Sequence, residues 1–154
     1  MHKNDIFIEW ENKKRKGVKS LAVLIDPDKA EETHLASLCK KANNNLIDYF
    51  FVGGSLIVED NFEECLNRIK ILTDIPIILF PGSPQQISKS ADAILLLSLI
   101  SGRNPDLLIG QQVLAAPALK ASGLELLPTG YMLVDCGRPT TASYMSNTLP
   151  IPHN

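Results

Sequence analysis

Five runs of β-forming apolar residues recur along the chain, and each is continuous rather than alternating. They are LAVLID at 21–26, IDYFFVG at 47–53, PIILF at 76–80, AILLLS at 93–98 and LELLPTGYMLVD at 124–135, the last broken by Pro128 and Gly130. A strand with one wet face alternates apolar and polar residues, whereas a strand covered on both faces has no polar side to show. Such strands belong to parallel sheets covered by helices. Helical patterns fall between most of the runs, at 29–43, 57–73 and 105–121, and an amphipathic segment near 4–16 precedes them. The βαβα order predicts an α/β fold. The runs at 21–26, 47–53, 76–80 and 93–98 should then be adjacent parallel strands in chain order, since right-handed crossovers leave few other arrangements.

Local signals place the loops between these elements. Asp28 with Glu31 reads as a capping box, Ser83-Pro84 with Gln86 as an N-cap followed by proline at the first helical position, and Asn104-Pro105 as the same device. Ser122-Gly123 closes the helix over 105–121, and Pro117 should kink or interrupt it by removing one backbone donor. The end, SNTLPIPHN, reads as neither strand nor helix.

Composition removes several classes. At 154 residues, with 45% hydrophobic and 21% charged, the chain is one folded domain rather than a disordered or fibrous one. A net charge of −2 gives no broad electrostatic footprint for nucleic acid, and no nucleic-acid partner is expected. The cysteines, Cys39, Cys65 and Cys136, are odd in number and lack metal-ligand spacing, which fits a reducing cytoplasm. The longest apolar stretch, Ala93 to Ile100, is far below the ~18 residues of a membrane span. At most peripheral membrane contact is expected.

In parallel α/β sheets, ligands bind where the loops after the strands converge. Those loops are DPDK at 26–29, GGS at 53–55, PGSPQQ at 81–86 and SLISGRNP at 98–105. Asp26, at the mouth of the first strand, reads either as a Mg²⁺ ligand or as a turn aspartate bonding nearby backbone. For Asp28 the capping role is a sufficient account. Gly53-Gly54-Ser55 either lets the backbone approach a phosphate with a hydroxyl beside it or simply makes a tight turn. Arg103 is an anion-binding guanidinium or a solvated charge, and Lys13-Lys14-Arg15-Lys16 a lipid-headgroup contact or a solvated segment. Tyr131 and Tyr144 either line a pocket or sit in a core or rim. No Ser/His/Asp or Cys/His arrangement is evident, and the general base is not identifiable.

The motifs LAVLIDPDK at 21–29, FVGGSLI at 51–57, IPIILFPGSPQQIS at 75–88, ADAILLLSLISGRNP at 91–105 and the stretch LIGQQVLAAPALKASGLELLPTGYMLVDCGRPTTASYMSNTLPIP at 108–152 resemble the geranylgeranylglyceryl phosphate synthase family. The likeness is to the branch of some archaea and Bacteroidetes-type bacteria, with the heptaprenylglyceryl phosphate synthases more distant. The resemblance implies a (βα)₈ barrel of TIM type and a Mg²⁺-dependent transferase. The reaction joins a prenyl diphosphate, such as geranylgeranyl diphosphate, to the hydroxyl of sn-glycerol 1-phosphate, making an ether lipid precursor and releasing diphosphate. Matched position by position, Asp26 and Ser55 correspond to the family's magnesium ligands, with Gly53, Gly54 and Tyr131 as substrate-binding candidates. The prenyl tail calls for an apolar groove.

A barrel of this kind needs about 250 residues. The family's glycerol phosphate loops, of the YLDAGSGA, GGG and GN kind, come later than Asn154. Residues 1–154 are therefore expected to be the N-terminal portion of one barrel prenyltransferase domain, with about the first five strands. The alternative is an inactive half-barrel that folds or associates only through its open sheet edges. Since an unclosed parallel sheet exposes unpaired backbone groups, a homo-oligomer is expected rather than a monomer.

Overall fold

The computed structural model describes residues 5–42, 47–54 and 61–152. Its centre is a sheet of strands β1 (Ala22–Ile25), β2 (Tyr49–Val52), β3 (Ile77–Leu79), β4 (Ala93–Leu99) and β5 (Glu125–Tyr131), every neighbouring pair parallel and in chain order. Five helices accompany it: α1 (Asp5–Arg15), α2 (Glu32–Lys41), α3 (Phe62–Leu72), α4 (Gln111–Ser122) and α5 (Thr141–Ser146). No helix among the described residues is long and apolar enough to cross a membrane.

The continuous apolar runs have the cause that their composition implies. Phe50, Val52, Ile77, Leu79 and Ile94 turn towards α2, α3 and α4, where Leu35, Cys39, Cys65, Leu66 and Ile69 meet them. Their alternates Tyr49, Ile78, Ala93, Leu95 and Leu127 form a second cluster on the opposite face, sealed by Ile6 of α1. The inner strands are thus buried on both sides. The edges are not: Leu24 of β1 is 54% exposed and Leu126 of β5 is 40% exposed.

Helix α1 lies across the N-terminal ends of the strands and is tied at two points. The buried carboxylate of Glu125, at the start of β5, accepts hydrogen bonds from the Ile6 and Phe7 N–H groups at 3.0 and 2.9 Å. At the other end Lys13 donates to Asp48 at 2.9 Å and packs over the Tyr49 ring, on which Trp10 stands edge-on. Of the basic run, Lys13 is therefore an internal tie, while Lys14, Arg15 and Lys16 are exposed.

Several local expectations are corrected. Strand β5 runs unbroken through Pro128 and Gly130, because among the described residues β5 pairs only with β4 and an edge strand tolerates a proline whose missing N–H faces the open side. Ser83-Pro84 starts no helix: Gln86 N–H turns back to the Ser83 carbonyl, and the connection from β3 to β4 is a series of turns. The cap at 28–31 sits two residues earlier than expected, with Asp26 accepting from the Asp28 N–H and opening a 3₁₀ turn at Pro27–Lys29; Glu31, at the start of α2, makes no side-chain cap bond. Helix α4 continues through Pro117, which lies on its exposed face, after a π turn at Asp106–Gly110 whose first N–H is capped by Asn104 Oδ1 at 3.1 Å. Gly123, at φ 69°, closes α4 as expected. Helix α5 was not foreseen, and its capping box is made by Thr140 and Ser143 rather than by a glutamate. Beyond it Ile151 forms a parallel bridge to Val134.

Candidate functional site

The C-terminal ends of the strands form one rim, and elementary backbone constraints shape it. Gly53 N–H donates to the Ile25 carbonyl at 3.1 Å, which sets the end of β2 directly against the end of β1 and Asp26. Gly53 has φ +145°, and a Cβ there would stand 2.2 Å from the Phe80 carbonyl oxygen. Only glycine allows the ends of β2 and β3 to approach this closely. Its neighbour Gly54 carries no side chain into the rim, so the backbone is open to a ligand at that point.

Asp26 leaves the sheet at the end of β1 with its side chain 29% exposed. One carboxylate oxygen accepts from Asp28 N–H at 3.2 Å, and the other from the Lys29 ammonium at 2.7 Å. Lys29 is itself 81% exposed, and its hydrogen bond to Asp26 raises its pKa above the ordinary lysine value. The Asp26 carboxylate thus serves as the cap of a 3₁₀ turn and also presents an oxygen held, among the described residues, by an exposed ammonium. Asp28 lies on the turn, outside any carboxylate cluster: among the described residues no group of three or more His, Cys, Asp or Glu side chains could hold a metal ion. Ser55 lies outside the described residues.

Gln86, buried to 7% exposure, is the residue that the motif reading missed. Its Oε1 accepts from Gly82 N–H at 2.9 Å and its Nε2 donates to the Gly54 carbonyl at 3.4 Å. One amide therefore holds the loop after β2 to the loop after β3. The QQ pair within the strand-end loop PGSPQQIS was the available signal, and nothing local distinguishes Gln86 from Gln85.

Beside Gly54 a cavity of about 70 Å³ opens between the strand ends and the roof above them. Phe80, Leu97, Leu107 and Tyr131 make its apolar walls, and Ala142 and Met145 of α5 its cover. Tyr131 stands edge-on to Phe80 with centroids 5.8 Å apart in this wall, whereas Tyr144 is 87% exposed and lies outside the lining. The cover is anchored where Arg103 and Asn104 N–H groups donate to the Ser146 carbonyl at 2.9 and 3.0 Å. Gly102 permits that docking, since a Cβ would stand 2.7 Å from the same oxygen. Arg103 itself is exposed, and its guanidinium reaches only the Ser101 carbonyl, at 3.5 Å. The rim therefore joins a carboxylate, a bare glycine backbone and an apolar hollow.

Comparison with known proteins gives the same picture from a different side. The model of the PcrB family matches residues 10–154. Geranylgeranylglyceryl phosphate synthase of Chitinophaga pinensis is 57% identical over 152 residues, covering 99% of this chain and 60% of that protein. The enzyme of the same name from Korarchaeum cryptofilum is 38% identical over 94% of this chain and 59% of its own length. Among solved structures, (S)-3-O-geranylgeranylglyceryl phosphate synthase from Thermoplasma acidophilum, in complex with sn-glycerol-1-phosphate, superposes with a TM-score of 0.86 at 32% identity, covering 96% of this chain and 59% of that one. The chain spans about three fifths of the length of these relatives.

Proposed function

The chain belongs to the PcrB family, with parallel βα units of the (βα)₈-barrel type, and from that premise we propose that it carries the prenyl diphosphate side of a transferase that joins a prenyl chain to sn-glycerol 1-phosphate. The observation that carries this reading is the juxtaposition at one rim of the Asp26 carboxylate, the open Gly53-Gly54 backbone and the apolar cavity beside Gly54. A prenyl diphosphate has the matching halves. Its diphosphate needs cationic and backbone partners, and its tail needs apolar walls. Ala142 and Met145 of α5 cover the cavity end of the rim, and Gln86 ties the two phosphate-facing loops together. The residues 1–154 supply, in this reading, the N-terminal part of a single prenyltransferase domain, and the relatives' names support lipid precursor chemistry.

Departure of diphosphate from an allylic carbon builds negative charge on oxygen. A bound Mg²⁺ would supply direct stabilisation of that charge. The residues fit such an ion: Asp26 offers one carboxylate oxygen opposed only by an exposed lysine, and magnesium is usually held by one or two carboxylates together with substrate phosphates and water. Asp26 would hold it with Ser55. On departure of the tail's diphosphate, Lys29 is placed to keep the carboxylate neutralised when the rim empties.

The open edges favour a second reading in which the 154 residues associate rather than catalyse. Positioning the acceptor hydroxyl against the allylic carbon is worth on the order of 7–11 kcal/mol of barrier, and the strands beyond β5 would contribute to it. Incubation of the 154-residue protein with labelled geranylgeranyl diphosphate, sn-glycerol 1-phosphate and Mg²⁺ tests both. Weak prenyl diphosphate binding that is lost on chelation and in Asp26→Asn, with little or no ether product, is the expected outcome. Binding indifferent to chelator and to Asp26 removes the proposal.

A further inference from the structure

Two glycines border the rim cavity, Gly54 after β2 and Gly82 after β3. Gln86 lies behind them, buried and outside the residues that line the cavity. Its side chain meets one backbone group of each: Oε1 accepts from the Gly82 N–H at 2.9 Å, and Nε2 donates to the Gly54 carbonyl at 3.4 Å. Those partners leave the amide one orientation, because a backbone N–H can only donate and a carbonyl can only accept. Gln86 is itself fixed on both sides in the chain. Its own N–H donates to the Ser83 carbonyl at 3.1 Å, and two residues further on the buried Ser88 hydroxyl donates to Glu63 of α3 at 2.9 Å.

The amide does more than join two loops. The Gly54 carbonyl oxygen is an acceptor at the place where the rim is read as taking a diphosphate, whose oxygens are acceptors too, and two acceptors with no proton between them repel. Drawing that carbonyl onto a donor behind the wall removes the repulsion from the cavity side. Glutamine suits this position: glutamate would oppose the carbonyl with a second acceptor, and methionine, of similar length, has no donor. The loop so fixed is locked to its neighbours, since Gly53 N–H reaches the Ile25 carbonyl beside Asp26 at 3.1 Å and Phe80 N–H reaches the Val52 carbonyl at 2.8 Å. We propose that Gln86 is a positioning residue for the diphosphate, acting through the Gly54 carbonyl that it holds out of the anion's way. This rests on reading the rim as a prenyl diphosphate site.

The experiment compares three probes by calorimetry on the 154-residue protein: farnesyl diphosphate with Mg²⁺, inorganic diphosphate with Mg²⁺, and farnesol, which has the same tail and no charge. Gln86→Met keeps the length and loses the donor, whereas Gln86→Glu keeps the acceptor for Gly82 and sets a carboxylate against the Gly54 carbonyl. Both should weaken the diphosphate probes, Gln86→Met by about tenfold, the scale of one hydrogen bond, and Gln86→Glu by more, while farnesol binds each variant as it binds the wild type. A residue that merely braces the fold would weaken head and tail probes together, in step with a lowered Tm. That result overturns the proposal, as does diphosphate binding unchanged in Gln86→Met. A measurement on the wild-type protein serves if the variants do not fold: Mg²⁺ with inorganic diphosphate should shift the NMR signal of the Gln86 side-chain NH₂, and farnesol should leave it in place. A Gln86 signal indifferent to diphosphate, or moved as much by farnesol, overturns the proposal. The two readings fail separately. Diphosphate binding that depends on Asp26 but not on Gln86 leaves the rim assignment standing and removes the positioning role, binding that depends on Gln86 but not on Asp26 or Mg²⁺ does the reverse, and a wild-type protein that binds neither diphosphate probe overturns both.

Discussion

At the scale of single residues, the rim depends most on a position with no side chain. Gly53 combines φ +145° with a Phe80 carbonyl 2.2 Å from where a Cβ would be. Gly53→Ala must strain the backbone and separate β2 from β3, and a loss of about 3 kcal/mol is expected. For a domain of this size that corresponds to a fall in Tm of roughly 6–12 °C, readable by calorimetry. A second residue-scale prediction concerns pH. The Leu21 N–H and, after it, the Lys13 ammonium hold Asp48 below the usual carboxylate range. Burial pulls Lys13 down, but hydrogen bonds to Glu9, Asp48 and Tyr49 outweigh it and raise the ammonium above its ordinary value. A carboxylate with a depressed folded pKa stabilises the fold above its unfolded value, near 3.9, and that contribution is lost as pH falls through the folded value. Urea midpoints should therefore drop on the acid side, and Asp48→Asn should be less stable at pH 7 with a flatter acid limb. With Asp48 35% exposed, the difference at pH 7 is about 1 kcal/mol or less.

At the scale of elements, α1 is clasped to the sheet through a few side chains at its two ends. Its N-terminal N–H groups end on a carboxylate that arrives from β5, some hundred and twenty residues later in the chain. Glu125→Ala leaves those donors in a buried position without an acceptor, and a loss of about 1–2 kcal/mol is expected. Amide hydrogen exchange should localise the effect: α1 amides lose protection while those of β3 keep theirs. Glu125→Gln, which retains one acceptor oxygen, should fall between. Uniform loss of protection across the sheet would show that α1 is part of the global unit rather than clasped onto it.

At the scale of the whole molecule, the sheet has two ends. Among the described residues β1 and β5 each pair on one side only, and Leu24 and Leu126 present apolar surface beside them. Unpaired parallel edges with exposed leucines are adhesive. The 154-residue chain should show concentration-dependent association in sedimentation velocity, weakened by Leu24→Lys, whose charge on the edge strand opposes pairing. A monomer at all concentrations in both proteins would mean that the edges are covered from within the chain.

The sequence by itself determined the class and order of the sheet, because a strand's burial on both faces is written into its own composition: YFFV and IIL have no polar residue to turn outward. It also marked the rim loops and the αL stop at Gly123, since those depend on backbone geometry that one or two residues control. What it left open were the features decided by partners distant in the chain. Pro128 looks like a break until β5 is known to be an edge, Gln86 looks like a helix cap until Gly54 is brought to its amide, and Glu125 has no evident role until α1 crosses beneath the strands. Hydrogen bonds between residues far apart carry no local periodicity, so only the tertiary structure could decide them.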